Sequence, residues 1–189
     1  MKPIDAKALY IGTNYHPHDW PQTRWAHDLD MMAQRGFTVV RLGHLCWDSF
    51  EPEEGKFTFE WMDQVMDLCH QRGIGVFLDI PTRPAPTWLH KKFPSIDIVD
   101  RNGVRQNAHF RYMEDVGDPH FREYAYRLAA VMAKRYASHP ALMAFGLCNE
   151  LGSGFISYSP TARERFVVWL KEKYRTVEEL NFAWAGHRW

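Results

Sequence analysis

Cysteine is scarce in this chain of 189 residues: Cys46, Cys69 and Cys148 are all there is. They lie far apart in apolar settings. That excludes a disulfide framework and a C-x-x-C metal knuckle, and they read as buried small hydrophobes. Charge of one sign is also lacking, because Lys plus Arg and Asp plus Glu number 23 each. With no basic excess, neither nucleic acid nor an acidic membrane surface is an expected partner. No apolar run approaches the roughly 20 residues that span a bilayer. The first residues, Met1 to Asp5, lack the apolar core of a secretory signal, so a cytoplasmic setting is expected. Repeats, linkers and low-complexity segments are missing too.

Several chemical signatures are absent as well. G-T-N-Y-H-P, after the first strand, is not the G-x-G-x-x-G of a dinucleotide site. No G-x-S-x-G elbow occurs, and no cysteine has a nearby histidine that would make a nucleophile pair. Ten histidines invite a metal, yet H-E-x-x-H is missing. His16 and His18 have strand-like i, i+2 spacing with no obvious third ligand. No metal site and no cofactor are therefore expected.

What the chain does have is aromatic surface and alternation. Aromatics make up 15%, with eight Trp and eight Tyr, many of them near strand ends and in loops where they can form platforms for a flat, partly apolar ligand. Strand patterns at Ala8–Gly12, Phe37–Leu42 and Ile74–Leu78 alternate with helical ones at Pro21–Arg35 and Glu60–Arg72. Gly36 and Gly73 stop those two helices. A long excursion follows, broken by Pro81, Pro84 and Pro86, with a short helix around Trp88 and a hairpin turn at Asn102-Gly103. A helix from Pro119 to about Ser138 leads to the apolar run Ala141 to Gly152, which reads as a fourth strand buried on both faces. Pro160–Tyr174 predicts a helix with Val167, Leu170 and Tyr174 inward, and Thr176 to Glu179 has capping-box spacing. The order β-α-β-α-β-α-β-α demands a parallel sheet. Both a doubly wound sheet and a (β/α) barrel satisfy it, and the long aromatic loops after strands favour the barrel. A full barrel takes about 250 residues; only four strands are present.

Asn149 and Glu150 fall at the C-terminal end of the fourth strand, the edge where parallel α/β folds build active sites. Glycoside cleavage needs an acid to protonate the leaving oxygen, and for retention a second carboxylate about 5–5.5 Å away. Glu150 is the acid candidate; capping of the next helix or a surface ion pair is its structural alternative. Asn149 can bond a sugar hydroxyl or order its own loop. Arg41, ending the second strand, can orient a carboxylate or serve a structural ion pair. Arg111, in the excursion, can bind substrate or be a solvated loop charge. Asp79 is the strongest rival carboxylate, ahead of Asp48, Glu51, Glu114 and Asp115.

The runs N-Y-H-P-H-D-W-P-x-x-R-W-x-x-D-x-x-x-M and V-V-R-L-G-H-L-C-W-D-S-F-E-P-E-E-G-K-F-T-F-E-W-M-D resemble the glycoside hydrolase family 42 β-galactosidases. So do I-P-T-R-P-A-P-T-W-L, I-V-D-R-N-G, H-P-A-L…N-E and W-L-K-E-K-Y-R-T-V-E-E-L-N-x-A-W. The resemblance spans nearly the whole chain. It implies a (β/α)8 TIM-type barrel, with residues 1–189 as its N-terminal half, about the first four β/α units. It also implies retaining hydrolysis of terminal β-D-galactosides. Glu150 matches the family's general acid/base, and Asn149, Arg41 and Arg111 match positions that contact the sugar.

Departures accompany the match. The family's nucleophile is a Glu on a seventh strand, beyond this chain, so the chain alone is expected to be incomplete and inactive. Its expected partners are a β-galactoside or oligosaccharide, together with the C-terminal half of the barrel or a second copy of itself. Cys148 stands where Asp often precedes Asn-Glu, and Asp115 and Ser153-Gly154-Phe155 lack the zinc-binding cysteines of some members. His18 and His44 replace Glu, Asp79 a small residue and Arg83 an alanine. A non-catalytic sugar-binding or assembly half-barrel, or a related barrel glycosidase with another sugar specificity, remains an alternative.

Overall fold

The computed structural model describes residues 4–106, 111–147, 149–150 and 156–184. Four short strands, β1 (Gly12–Asn14), β2 (Val39–Leu42), β3 (Gly75–Ile80) and β4 (Leu142–Leu147), form one sheet in the order β1-β2-β3-β4. Every pairing is parallel. A doubly wound sheet reverses its strand order at a switch point. Here the order never reverses, so this is the barrel type of α/β sheet.

Helices α1 (Gln22–Gln34), α2 (Trp47–Phe50), α3 (Glu60–Gln71), α4 (Thr87–Lys92), α5 (Pro119–Tyr136), α6 (Pro160–Tyr174) and α7 (Val177–Ala183) follow in chain order. Caps explain their starts. Asp118 accepts from the His120 and Phe121 amides at 2.8 and 3.2 Å, with Pro119 in the first turn of α5. Ser159 accepts from Ala162 N at 3.0 Å, and Thr176 from Glu179 N at 3.1 Å. Gly36 ends α1 at φ +82°, a conformation that costs a side-chain-bearing residue. No helix among the described residues is long and apolar enough to cross a membrane.

The core lies between the sheet and the inner faces of α1, α3 and α5. Leu29, Met62, Val65, Met66, Cys69 and Leu128 pack with Val40, Leu42, Val76 and Leu78 of the central strands. Cys46 and Cys69 are buried free thiols, as expected of small hydrophobes.

Four expectations change. The first strand runs Gly12–Asn14 and not Ala8–Gly12, because its partner β2 only begins at Val39. The third extends to Ile80, which puts Asp79 inside the strand. The fourth is buried at Leu142 and Met143 but exposed at Leu147, since only β3 pairs with it among the described residues. The predicted inner face of α6 is also not covered. Val167 is exposed and no described residue of that helix is buried; the element it packs against most is the short α7. The expectations placed on Cys148 and on Ser153-Gly154-Phe155 lie outside the described residues.

The excursion between β3 and α5 is held by its own bonds. Val99 bridges Arg105, the Asp100 carboxylate accepts from the Asn102 and Val104 amides, and Gly103 takes φ +81°. Buried Glu114 accepts from Arg83 Nε at 3.0 Å and from Ala85 N at 2.6 Å, tying the proline-rich segment to the far end of the excursion.

Candidate active site

Parallel strands in register bring their C-terminal ends to one edge. Asn14 pairs Arg41, Arg41 pairs Phe77, and Asp79 pairs Gly146. Arg41 Nη2 lies 2.5 Å from Asp79 Oδ2 and donates to Asn149 Oδ1 at 3.1 Å. His44 Nδ1 approaches the same Asp79 oxygen at 3.1 Å. A carboxylate only accepts, so this contact puts the imidazole proton on Nδ1. Burial pushes the His44 pKa below its ordinary value, against the hydrogen bond to Asp79, which pulls it up. Gly146 makes room for the network, since a Cβ there would collide with Asp79 Oδ1.

The second half of the site comes from the excursion. Arg111 Nη2 donates to Glu150 Oε2 at 3.1 Å, with both side chains about half exposed. An ion pair that open is screened by water and contributes little stability. Tyr112 joins the two halves: Asn149 Nδ2 donates to its hydroxyl, and Arg111 bonds it at 3.3 Å. The guanidinium groups of Arg83 and Arg111 lie 4.9 and 5.2 Å from its ring centroid.

The backbone is unusual at the same place. Tyr112 and Glu150 have φ of +65° and +46°, in the left-handed region that side-chain-bearing residues rarely occupy. Such conformations cost about 1–3 kcal/mol and persist where surrounding contacts over-determine them, often at functional sites.

All four residues singled out from sequence, Arg41, Arg111, Asn149 and Glu150, therefore belong to one connected cluster. Tyr112 was missed. Its role depends on a left-handed backbone and on contacts across the chain, and neither leaves a mark in the local sequence. The rival carboxylates are engaged elsewhere. Glu51 accepts from Trp47 Nε1, Gly55 N and Arg127; Glu114 holds Arg83; Asp115 accepts from Ser159 Oγ and Gly117 N. Asp79 pairs with Arg41 and His44 and is almost wholly buried, which makes it a positioning group. Asp48 is exposed and accepts from the Ser49 amide.

Histidines line the same edge on the β1 side. His16 packs edge-on against both His18 and His44, with ring centroids 5.7 and 5.6 Å apart. The sequence offers His16 and His18 without a third ligand. The fold supplies a carboxylate next to them, because ligand atoms of His16, His18 and Asp19 all lie within 4.8 Å of one another.

Comparison with known proteins bears on what this cluster does. The family model for β-galactosidases of glycoside hydrolase family 42 matches residues 14–189. A curated β-galactosidase of Thermus sp. is 35% identical over 181 residues, covering 95% of this chain and 28% of its own length. One from Geobacillus kaustophilus is 33% identical over 183 residues, covering 96% and 27%. The crystal structure of a β-galactosidase from the psychrophilic Marinomonas ef1 superimposes with a TM-score of 0.87 at 35% identity, over 94% of this chain and 27% of that one. The β-galactosidase of the Antarctic haloarchaeon Halorubrum lacusprofundi gives 0.88 at 31% identity, over 94% and 27%. The chain thus spans little more than a quarter of the length of these relatives.

Proposed function

Because this chain belongs to the glycoside hydrolase family 42 β-galactosidases, we propose that residues 1–189 supply the first four β/α units of a retaining (β/α)8 catalytic domain. That domain cleaves terminal β-D-galactosyl residues. Glu150 is its general acid/base. In the first step it protonates the glycosidic oxygen as the bond to the anomeric carbon breaks; in the second it takes a proton from the water that releases galactose. The carboxylate that attacks the anomeric carbon comes from outside these residues.

Arg41 and Asn149 bind sugar hydroxyls beside the reacting centre. Asp79 fixes Arg41, and Arg41 fixes the Asn149 amide, so the hydrogen-bonding face is set before substrate arrives. Arg111, bonded to Glu150, keeps that carboxylate at the mouth of the site. The single observation that carries this reading is the Arg41–Asn149 contact. It joins two residues 108 positions apart at the edge where barrel enzymes do their chemistry.

The test is hydrolysis of a nitrophenyl β-galactoside by the purified 189-residue chain. No appreciable turnover is expected, since one of two required carboxylates lies elsewhere. Turnover that disappears in Glu150→Gln would place both carboxylates within this chain and overturn that part of the proposal. The sheet edge at β4, which has no strand beyond it among the described residues, is also expected to promote self-association. A clean monomer by light scattering at protein concentrations that favour association would count against it.

A further inference from the structure

His16, His18 and Asp19 sit on the turn that leaves β1, beside the active-site edge, and the proposed chemistry uses none of them. Their potential ligand atoms, two imidazole nitrogens and a carboxylate oxygen, converge within 4.8 Å. His18 Nε2 is 3.6 Å from Asp19 Oδ1. Two ligands bound at about 2.0–2.1 Å to one tetrahedral ion stand roughly 3.4 Å apart, so this pair is already spaced to share a cation.

Among the described residues none of the three side chains is committed to another hydrogen bond. His18 Nδ1 is buried without a hydrogen-bond partner, and the Nε2 contact to Asp19 is too long to be a hydrogen bond. Among the described residues the ring packs against His16 and against Trp61, the latter at a centroid distance of 5.6 Å. The His16 side chain makes no hydrogen bond among the described residues either. Among the described residues His18 Nε2, the nitrogen that faces Asp19, thus has no hydrogen bond to give up on binding a cation.

We propose that His16, His18 and Asp19 form a binding site for a divalent transition-metal ion of the zinc type, with open positions filled by water. Two imidazoles and one carboxylate suit zinc and its neighbours and are too nitrogen-rich for calcium or magnesium. The contact of His16 with His44, and of His44 with Asp79, links this site to the residues that hold Arg41. Metal binding would order the β1 turn at the rim of the sugar site. Nothing in this site takes part in the bond cleavage proposed above, and it stands or falls independently of it.

The experiment is titration of the purified chain with Zn²⁺ by calorimetry and with Co²⁺ by visible absorption, where ligand-field bands report nitrogen coordination. One equivalent is expected, displaced by a chelator. His16→Ala and His18→Ala should each weaken binding at least tenfold, while His139→Ala, at a histidine that contacts Asp67, leaves it unchanged. Asp19→Asn, at an exposed side chain that the fold does not need, should also weaken it and change the Co²⁺ spectrum. Absence of saturable binding overturns the proposal. So does an equivalent that persists in His18→Ala and Asp19→Asn, since scattered surface histidines would then explain it.

Discussion

Asp79 on β3 grips Arg41 on β2 at 2.5 Å, and the grip fixes more than the pair itself. His44 takes a place on the same carboxylate oxygen, and Asn149 accepts from the same guanidinium nitrogen. One buried acid on β3 thereby sets the rotamers of groups arriving from the ends of two other strands, β2 and β4. Removing one partner of this pair costs more than breaking a surface ion pair, because water reaches only 29% of the Arg41 side chain and 3% of that of Asp79.

Asp79→Ala leaves Arg41 without its counter-charge. The expected loss is about 3 kcal/mol in urea unfolding, the low end of the cost of orphaning a buried charge, because Arg41 keeps some solvent. Asp79→Asn, which still accepts hydrogen bonds, is expected to lose less. Equal stability of both variants and the parent would remove Asp79 from the organising role assigned to it.

Gly146→Ala pushes a methyl group into Asp79 Oδ1. Overpacking of this kind costs about 1–3 kcal/mol. Since both changes act on the same carboxylate, combining Gly146→Ala with Asp79→Ala should cost less than their sum. Strict additivity in the denaturation midpoints would show that the two sites are uncoupled.

Glu114 tests whether a buried carboxylate is structural or chemical. It holds Arg83 Nε and the Ala85 amide, with His90 at 3.7 Å. Glu114→Ala is expected to cost about 3–5 kcal/mol, as breaking a buried charged pair does. A fully stable Glu114→Ala protein would reopen Glu114 as a catalytic candidate.

His90 gives a pH signature. Burial opposes its charge, but the Glu114 carboxylate 3.7 Å away and the hydrogen-bonded Asp97 carboxylate outweigh it and raise the pKa above the ordinary histidine value. A group whose folded pKa is raised binds its proton more tightly when folded. Its contribution is therefore complete below the unfolded value of about 6.5 and fades as pH rises through the higher folded value. The chain should lose melting temperature on that alkaline limb more steeply than His90→Gln does. Parallel profiles would contradict the assignment.

The parallel alternation was legible because burial on both faces writes unbroken apolar strands such as Val76–Leu78, and because glycine and proline punctuate the helices. Strand limits were less so: β1 starts where β2 offers a partner, which is a property of the pair. Glu150 and Asn149 were legible as a polar pair closing an apolar run, and Arg41 as a charge closing another. The Asp79–Arg41–Asn149 chain was not, since its contacts join residues 38 and 108 positions apart. Tyr112 was hidden for the same reason; Asp19 adjoins His18 in the chain, but its closeness to both histidines depends on the folded turn. The inner face assigned to α6 was read correctly as apolar, but periodicity cannot say whether a face has a neighbour to cover it.

Glu150 as general acid/base is the central claim, and leaving-group dependence tests it most directly. In a chimaera joining these residues to the remaining length of a curated relative, Glu150→Gln should lower kcat/KM by about 10²–10⁴ for a galactoside with a poor leaving group. The loss of the first, bond-breaking step should nearly vanish for a dinitrophenyl galactoside, whose phenolate leaves without a proton. Added azide, a nucleophile that needs no base, should restore turnover and yield β-galactosyl azide. An equal loss on both substrates with no azide rescue, or no loss on either, would contradict the account.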